Sequence, residues 1–274
     1  MVDRVIKGMR VHQVDLHDFD EVELLCCGDT HFGSAEHNGS MSDWVISWVG
    51  EERNRFVVFA GDLFNAALPG TASKEAVFKD SSPSDAYAAG VSWLKRVDAG
   101  IGDGAHHIIA SVQGNHDHRF DVATGIDAAA HAFFEAGAHY GGLMDCVSLA
   151  VGTNAASHRT PGYTLFLHHG VGGGRKMGGK ANAMADLADL VPNADIVVQG
   201  HTHGTLCTPV SQMLFSQNHR SIVSVERLLV TVPGMVTYEG YSKAKAYRPT
   251  SDFLMPVIRL SGTRHLMEFD YRHV

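Results

Sequence analysis

Five short apolar runs recur along the chain, and each runs into a glycine flanked by an aspartate, asparagine or histidine. They are VELLCCGD (22–29), RFVVFAGD (55–62), HHIIASVQGNHD (106–117), YTLFLHHG (163–170) and ADIVVQGHTH (194–203). Each is rich in Val, Ile, Leu or Phe and lacks helical spacing, the pattern of a strand buried on both faces. Stretches of helical character lie between them. SDWVISWVGEERN (42–54) begins at a Ser-Asp cap and sets Trp44, Val45, Trp48 and Val49 on one face. Residues 84–100 and 125–140 behave similarly, and 182–192 ends at a proline. Strands alternating with helices indicate an α/β architecture. In such folds functional groups collect beyond the carboxyl ends of strands, and all five runs end in groups of that kind. The C-terminal third differs: 220–241 and 255–274 read as strands joined by turns, completing a sheet edge or a second sheet. No Pro/Ser-rich linker, repeat or low-complexity tract interrupts the chain, so residues 1–274 are expected to form a single domain.

Composition narrows the function. The 274 residues are 45% hydrophobic, enough for a sizeable core. A formal charge of −8 argues against binding nucleic acid by charge alone, although it leaves room for a local basic patch. The four cysteines, Cys26, Cys27, Cys146 and Cys207, form no CxxC and no disulfide framework. They fit reduced thiols in a cytoplasmic protein. The N-terminus has no signal-peptide pattern, and no run approaches the roughly 18 apolar residues a membrane helix needs. No membrane association is expected. The unusual counts are 18 His and 29 Gly. Histidine is the commonest metal ligand, and glycine serves where backbone turns tightly or approaches a ligand.

The strand-end residues make one set: Asp29 and His31 from GDTH, Asp62 from GDLF, Asn115 and His116 from GNHD, His168 and His169 from HHG, His201 and His203 from GHTH. Carboxylates, imidazoles and an amide oxygen without a thiolate suit ions such as Mn, Fe, Zn, Co or Ni rather than a Cys-rich structural zinc. The candidates are too many for one tetrahedral ion. Two ions about 3.5–4 Å apart, sharing a carboxylate, would use them all and could clamp both oxygens of a phosphoryl displacement.

The ordered pattern D-x-H … G-D … G-N-H-D … H … G-H-x-H, spanning residues 29–203, resembles the calcineurin-like metallophosphoesterase superfamily. The glycine-rich GVGGGRKMGGKAN after His169 and the late TYEGYSKAKAYRPT look like its phage and prophage branch. The resemblance implies a four-layer α-β-β-α sandwich of two mixed sheets flanked by helices, with a dinuclear metal site at the carboxyl ends of strands. It implies that Asp29, His31 and His203 bind one ion, that Asn115, His169 and His201 bind the other, and that Asp62 bridges them. It places His116 beside the substrate, against a phosphate oxygen or the leaving group, with Asp117 orienting the imidazole. Adjacent strand residues face opposite ways, so only one of His168 and His169 can face the metals; the family's histidine directly before glycine selects His169.

The activity so implied is hydrolysis of a phosphoester by a metal-activated hydroxide, with manganese the first choice of metal and a phosphodiesterase the first choice of enzyme. A DNA or RNA nuclease, a phosphomonoesterase and a scaffold that has lost catalysis are the alternatives. The scaffold would show a missing ligand or a replaced His116, and neither is seen. Arg175, Lys176 and Lys180 in the glycine-rich stretch are candidate substrate contacts, though the spacing is not that of a P-loop. His118 and Arg119 have two readings, approach to the site or loop polarity. Histidines outside the motifs, such as His37, His106, His139 and His265, are read as structural or surface residues.

Overall fold

A computed structural model describes residues 10–67, 81–152, 160–172, 176–216, 220–239, 243 and 254–274. In chain order its first elements are β1 (Val11–Leu16), β2 (Glu21–Cys27), α1 (Gly39–Val49), β3 (Arg55–Phe59), α2 (Pro83–Ala99), β4 (Ile108–Ser111), α3 (Asp117–Thr124) and α4 (Ala128–Ala136). Then come β5 (Met144–Val151), β6 (Gly162–His168), α5 (Met177–Leu190), β7 (Ile196–Gln199), β8 (Leu206–Ser216), β9 (Ser221–Thr231), β10 (Leu254–Ser261) and β11 (Met267–His273). The strands build a six-stranded sheet ordered β1-β5-β6-β7-β9-β8 and a five-stranded sheet ordered β11-β10-β2-β3-β4. Both are mixed. In one, β2, β3 and β4 are parallel while β10 joins β2 antiparallel; in the other, β6, β7 and β9 are parallel, β8 runs antiparallel to β9, and β5 runs antiparallel to β6 but parallel to β1.

The period-two alternation of each strand feeds two different cores. Leu24, Cys26, Phe56 and Val58 meet Leu149, Leu165, Val198 and Val230 between the sheets. Their neighbours Leu25, Cys27, Val57 and Phe59 face outward, onto Met41, Val45 and Trp48 of α1, Leu94 of α2 and Phe133 of α4. On the far side, Phe166, Val197 and Leu229 pack on Met184, Leu187 and Ala188 of α5. The result is the expected α-β-β-α sandwich. Fully burying one Leu or Phe in such a core contributes about 1.5–3 kcal/mol. Among the described residues, no helix is long and apolar enough to cross a membrane.

Several boundaries differ from the sequence reading. Helix α1 starts at Gly39 rather than at Ser42, because Asn38 accepts the amide of Met41 and takes the capping role. Helix α5 starts at Met177, inside the glycine-rich stretch, without a side-chain cap. The C-terminal strands do not supply a second sheet of their own. β9 pairs with β7 in the six-stranded sheet, whereas β10 pairs with β2 and extends the five-stranded one. Sequence order cannot reveal which edge a strand joins, since pairing depends on which edge is free.

The parallel strands bring their carboxyl ends to one side, where the loops after β2 and β3 continue to pair. Asp29 donates to the carbonyl of Gly61, His31 to that of Asp62, and Phe32 to that of Leu63. The buried Asp117 carboxylate locks the next loop onto these. It accepts the backbone amides of Leu63, Phe64 and Gly114 at 3.2, 2.9 and 2.9 Å. Gly114 lies so close to the β3 loop that a Cβ there would overlap the backbone nitrogen and carboxylate of Asp62.

Two outcomes are expected. Burial and the Asp62 carboxylate push Asp117 up to about 7, so Asp117→Asn, which turns an amide NH₂ toward backbone donors, should lower unfolding stability by about 0.5–1.5 kcal/mol for each hydrogen bond lost. Urea denaturation checks this, and an unchanged midpoint would contradict it. Gly114→Ala should leave the sandwich folded by circular dichroism but displace Asp62, visible as a lowered content of bound divalent metal in equilibrium dialysis.

Candidate functional site

Asp29 and His31 leave the end of β2, Asp62 that of β3, Asn115 and His116 that of β4, His169 that of β6, and His201 and His203 that of β7. Their polar atoms form one continuous chain. Asp29 Oδ1 lies 3.4 Å from His203 Nε2, which lies 3.2 Å from His31 Nε2. His31 Nε2 is 3.9 Å from Asp62 Oδ2, which is 3.3 Å from His169 Nε2. His169 Nε2 is 2.9 Å from Asn115 Oδ1, and that oxygen is 2.6 Å from His201 Nδ1. Asp62 stands in the middle. Asp29, His31 and His203 form one group that could hold an ion, and Asp62 falls into two others, with His31 and His116 and with Asp29 and His169.

The backbone is strained where these side chains leave it. Asp29, His31, Asp62, His201 and His203 have φ of +50°, +48°, +55°, +65° and +47°. Residues with a Cβ seldom adopt this left-handed region, and each instance costs about 1–3 kcal/mol. Such strain persists only where surrounding contacts over-determine it. Here they include the paired loops, the amide of His201 on the Asp29 carboxylate at 3.1 Å, and the amide of Met235 on the Asp29 carbonyl at 3.0 Å.

The floor of the site is dry and its mouth is open. Asp29, His31, Asp62 and His169 are buried, His116, His201 and His203 are half-buried, and Asn115 is exposed. Burial alone would raise the Asp62 carboxyl, but His169 and His116 hold it well below the usual range. Burial alone would lower His169, but Asp62 and Asp29 push it up to about 10. His203 is also raised, its burial outweighed by Asp29. His31 goes the other way, lowered by burial and by neighbouring His116.

These features fit a cation. His169 Nδ1 donates to the carbonyl of Ala60 at 2.7 Å, which turns Nε2 toward two oxygens, Asp62 Oδ2 and Asn115 Oδ1. A metal-ligating imidazole is held in this way, through its other nitrogen. Without a metal, a proton on Nε2 fills the same electrostatic role, which is why the carboxylates hold it so firmly. His31 Nδ1 is buried without a hydrogen-bond partner, and two carboxylates share a water-poor floor. Buried charges of one sign require compensation.

The remaining candidates fall as follows. His168 turns from the cluster, and its Nδ1 accepts the amide of Gly170 at 2.8 Å. Asp117 does not orient His116; its oxygens are taken by backbone amides, and the His116 ring meets Asn65 instead. His116 Nδ1 donates to the Asn65 carbonyl at 2.7 Å and lies 3.1 Å from Asn65 Oδ1, while its own amide binds Asp62 Oδ1 at 2.7 Å. Lys176 begins α5 at the surface. The Lys180 amine reaches Gly204, next to His203. Arg175 and most of both phage-like segments lie outside the described residues. His118 pairs with Asp121, whereas Arg119 folds back onto His116. His37 supports the first loop by donating to the carbonyl of Thr30 at 2.7 Å. Asn65, Arg119, His37 and Gly234, whose Cα side packs on the His203 ring, are the contributors that motif reading did not select. Only Arg119, three residues after His116, had a signal in its spacing.

A family model for calcineurin-like phosphoesterases matches residues 22–205. Curated proteins give no match. Among solved structures, the chain is similar to a conserved uncharacterised protein from Streptococcus pneumoniae TIGR4 described as a predicted phosphoesterase. That likeness has 13% identity and a TM-score of 0.32, and it covers 92% of this chain and 98% of that one. The matched segment begins with β2 and ends just past His203, so it contains every strand-end motif that converges on the buried cluster, and the chain accordingly belongs to the calcineurin-like phosphoesterase family of metal-dependent phosphoester hydrolases.

Proposed function

We propose that the chain is a two-metal phosphodiesterase. Asp29, His31 and His203 would hold one ion, and Asn115, His169 and His201 the other, with Asp62 shared. The observation that carries this reading is the unbroken run of donors from Asp29 to His201 with the Asp62 carboxylate at its centre. Ions bound there would supply a hydroxide nucleophile near neutral pH and neutralise charge on the phosphoryl oxygens. An all N/O donor set accepts Mn, Fe, Zn, Co or Ni, and manganese is our choice for reconstitution.

The chain's own groups then have definite tasks. Asp62 receives the amide of His116 on Oδ1, so the histidine backbone is pinned to the shared carboxylate. Donation from Nδ1 to Asn65 leaves Nε2 of His116 as the atom that meets a substrate oxygen; to stabilise developing charge or pass a proton to the leaving group the ring must first take a second proton on Nε2 from solvent, which burial opposes and Asp62 favours. The Lys180 amine lies beside Gly204, next to His203, and is the candidate contact of the glycine-rich stretch nearest the site. Lys176 is exposed at the start of α5, and Arg175 stays a candidate contact on sequence alone. A diester favours an open site, because ester arms leave phosphorus in more than one direction. Exposed Asn115 and half-exposed His116, His201 and His203 give the mouth that openness. Nuclease action uses the same centre, but the charge of −8 argues against a large nucleic-acid footprint. The four free cysteines favour a reducing, cytoplasmic setting.

Mn²⁺-reconstituted protein is expected to hydrolyse bis(p-nitrophenyl) phosphate faster than p-nitrophenyl phosphate. Asp62→Ala should abolish both activities with loss of metal, and His116→Ala should lower turnover by about 10²–10⁴-fold with metal retained. A monoester preference would make the protein a phosphatase. No turnover with metal bound would favour a scaffold. His169→Ala should reduce bound Mn²⁺ measured by atomic absorption, whereas His168→Ala should not; the reverse result would reassign the ligand. Chelation should lower the melting temperature, because ions that bind only the folded chain stabilise it by mass action.

A further inference from the structure

Strands β8 and β9 run far past the sheet that holds them. β7 pairs with β9 only over Leu228–Thr231. Beyond that stretch Val210–Phe215 of β8 and Ile222–Arg227 of β9 pair only with each other, as a ribbon with β8 at the sheet's edge. A two-stranded ribbon is marginal in water by itself. The root of this one is fixed, because buried Arg227 donates to the carbonyls of Ala194, Ala188 and Val191. Farther out, one face carries Met213, Phe215 and Ile222, which are 78%, 88% and 59% exposed. In an antiparallel ladder alternate residues turn their backbone groups toward the partner strand and away from it. The Cys207 amide points away from β9, since it donates to the Tyr271 hydroxyl at 2.8 Å. The outward set is therefore Cys207, Pro209, Ser211, Met213 and Phe215. Tyr271 takes the first and Pro209 has no N–H. Among the described residues, the amides of Ser211, Met213 and Phe215 have no partner.

Sheet edges are ordinarily blunted by charge, brevity or cover. Among the described strands, the edge strand β1 carries Asp15, β11 carries Glu268, Asp270 and Arg272, and β4 is short and buried. β8 has no charged residue from Leu206 to Ser216. It offers nothing to a partner that is recognised by charge. Pairing β8 with β1 or β11 of another copy is heterologous, so it runs on into an open chain of molecules. Pairing β8 with itself closes. We propose that the chain forms a twofold dimer by antiparallel pairing of β8 with β8 of a second copy, centred on Met213. A twofold there sets Met213 against its own copy and Ser211 against Phe215, so each outward amide meets an outward carbonyl. Met213 and Phe215 of the two copies supply the apolar contact. The ribbon leaves the sheet past the start of β7, the end opposite His201 and His203, so both site mouths stay open. The proposal is independent of the phosphodiesterase reading.

The test is sedimentation equilibrium of the full chain as wild type, Met213→Lys and Met213→Pro, with circular dichroism on each. Wild type should sediment as two chains at micromolar concentration. Met213→Lys sets like charges against each other across the twofold and should raise the dissociation constant at least about 100-fold. Met213→Pro removes only an outward N–H, so it should weaken the dimer while the pairing with β9 persists. Hydrogen exchange needs no variant: the amides of Ser211, Met213 and Phe215 should slow as wild type is concentrated through its dissociation constant. A wild type that stays a single chain up to about 100 μM would overturn the proposal. So would an open series of larger species, a dimer that both variants leave intact, or a dimer in which those amides exchange as fast as in the single chain. Slow exchange in a single chain would overturn it too, since the chain itself would then cover the edge.

Discussion

Two carboxylates, Asp29 and Asp62, sit on the dry floor of one cavity with a ring of imidazoles around them. Buried charge of one sign is among the most expensive arrangements a fold can hold, and only opposite charge offsets it. His169 supplies part of it as a proton, pushed up to about 10 by Asp62 and Asp29, and His203 is raised in the same direction by Asp29. Metal ions would supply it more completely. The rest of the site follows from keeping these charges together: the tight glycine contacts, the paired loops and the left-handed residues all bring the carboxylates and imidazoles closer than relaxed backbone allows.

The division of labour within the sandwich explains how such strain survives. The sheets meet in a continuous apolar core, and the helices seal their outer faces. That rigid body fixes where five strand ends point. Loops anchored to it need only a few hydrogen bonds to hold φ values that isolated residues avoid. The stability of the core thus supports conformations whose local cost is several times a typical hydrogen bond.

The loop that enters α3 and the helix's first turn show how much chemistry a short segment can position. Asn115 turns its amide oxygen to His169 and His201, His116 turns its ring to Asn65 and the open mouth, and Asp117 turns its carboxylate inward to three backbone amides. Arg119 returns one turn later to meet His116. Four nearby side chains thus serve four directions, two of them from the loop that enters the helix and two from its first turn.

The sequence determined the strands and the list of candidate donors. VELLCC, RFVVF and IVVQ read as buried strands because both faces are apolar, and a polar residue after each glycine marks where burial ends. Strand β8 and helix α3 escaped that reading, one because its exposed half mixes polar and apolar positions and the other because it is short. Alternation along a strand said that only one of His168 and His169 could face the other donors, and the resemblance to the family, not the alternation, selected His169. Only the tertiary structure could decide what Asp117 does, which sheet receives β9 or β10, and that Asn65 and Arg119 bracket the His116 ring. Spacing encodes the face a residue takes within its own element. Which residues meet across elements depends on loop geometry and on contacts between positions as distant as Asp29 and His203, and no local pattern carries that information.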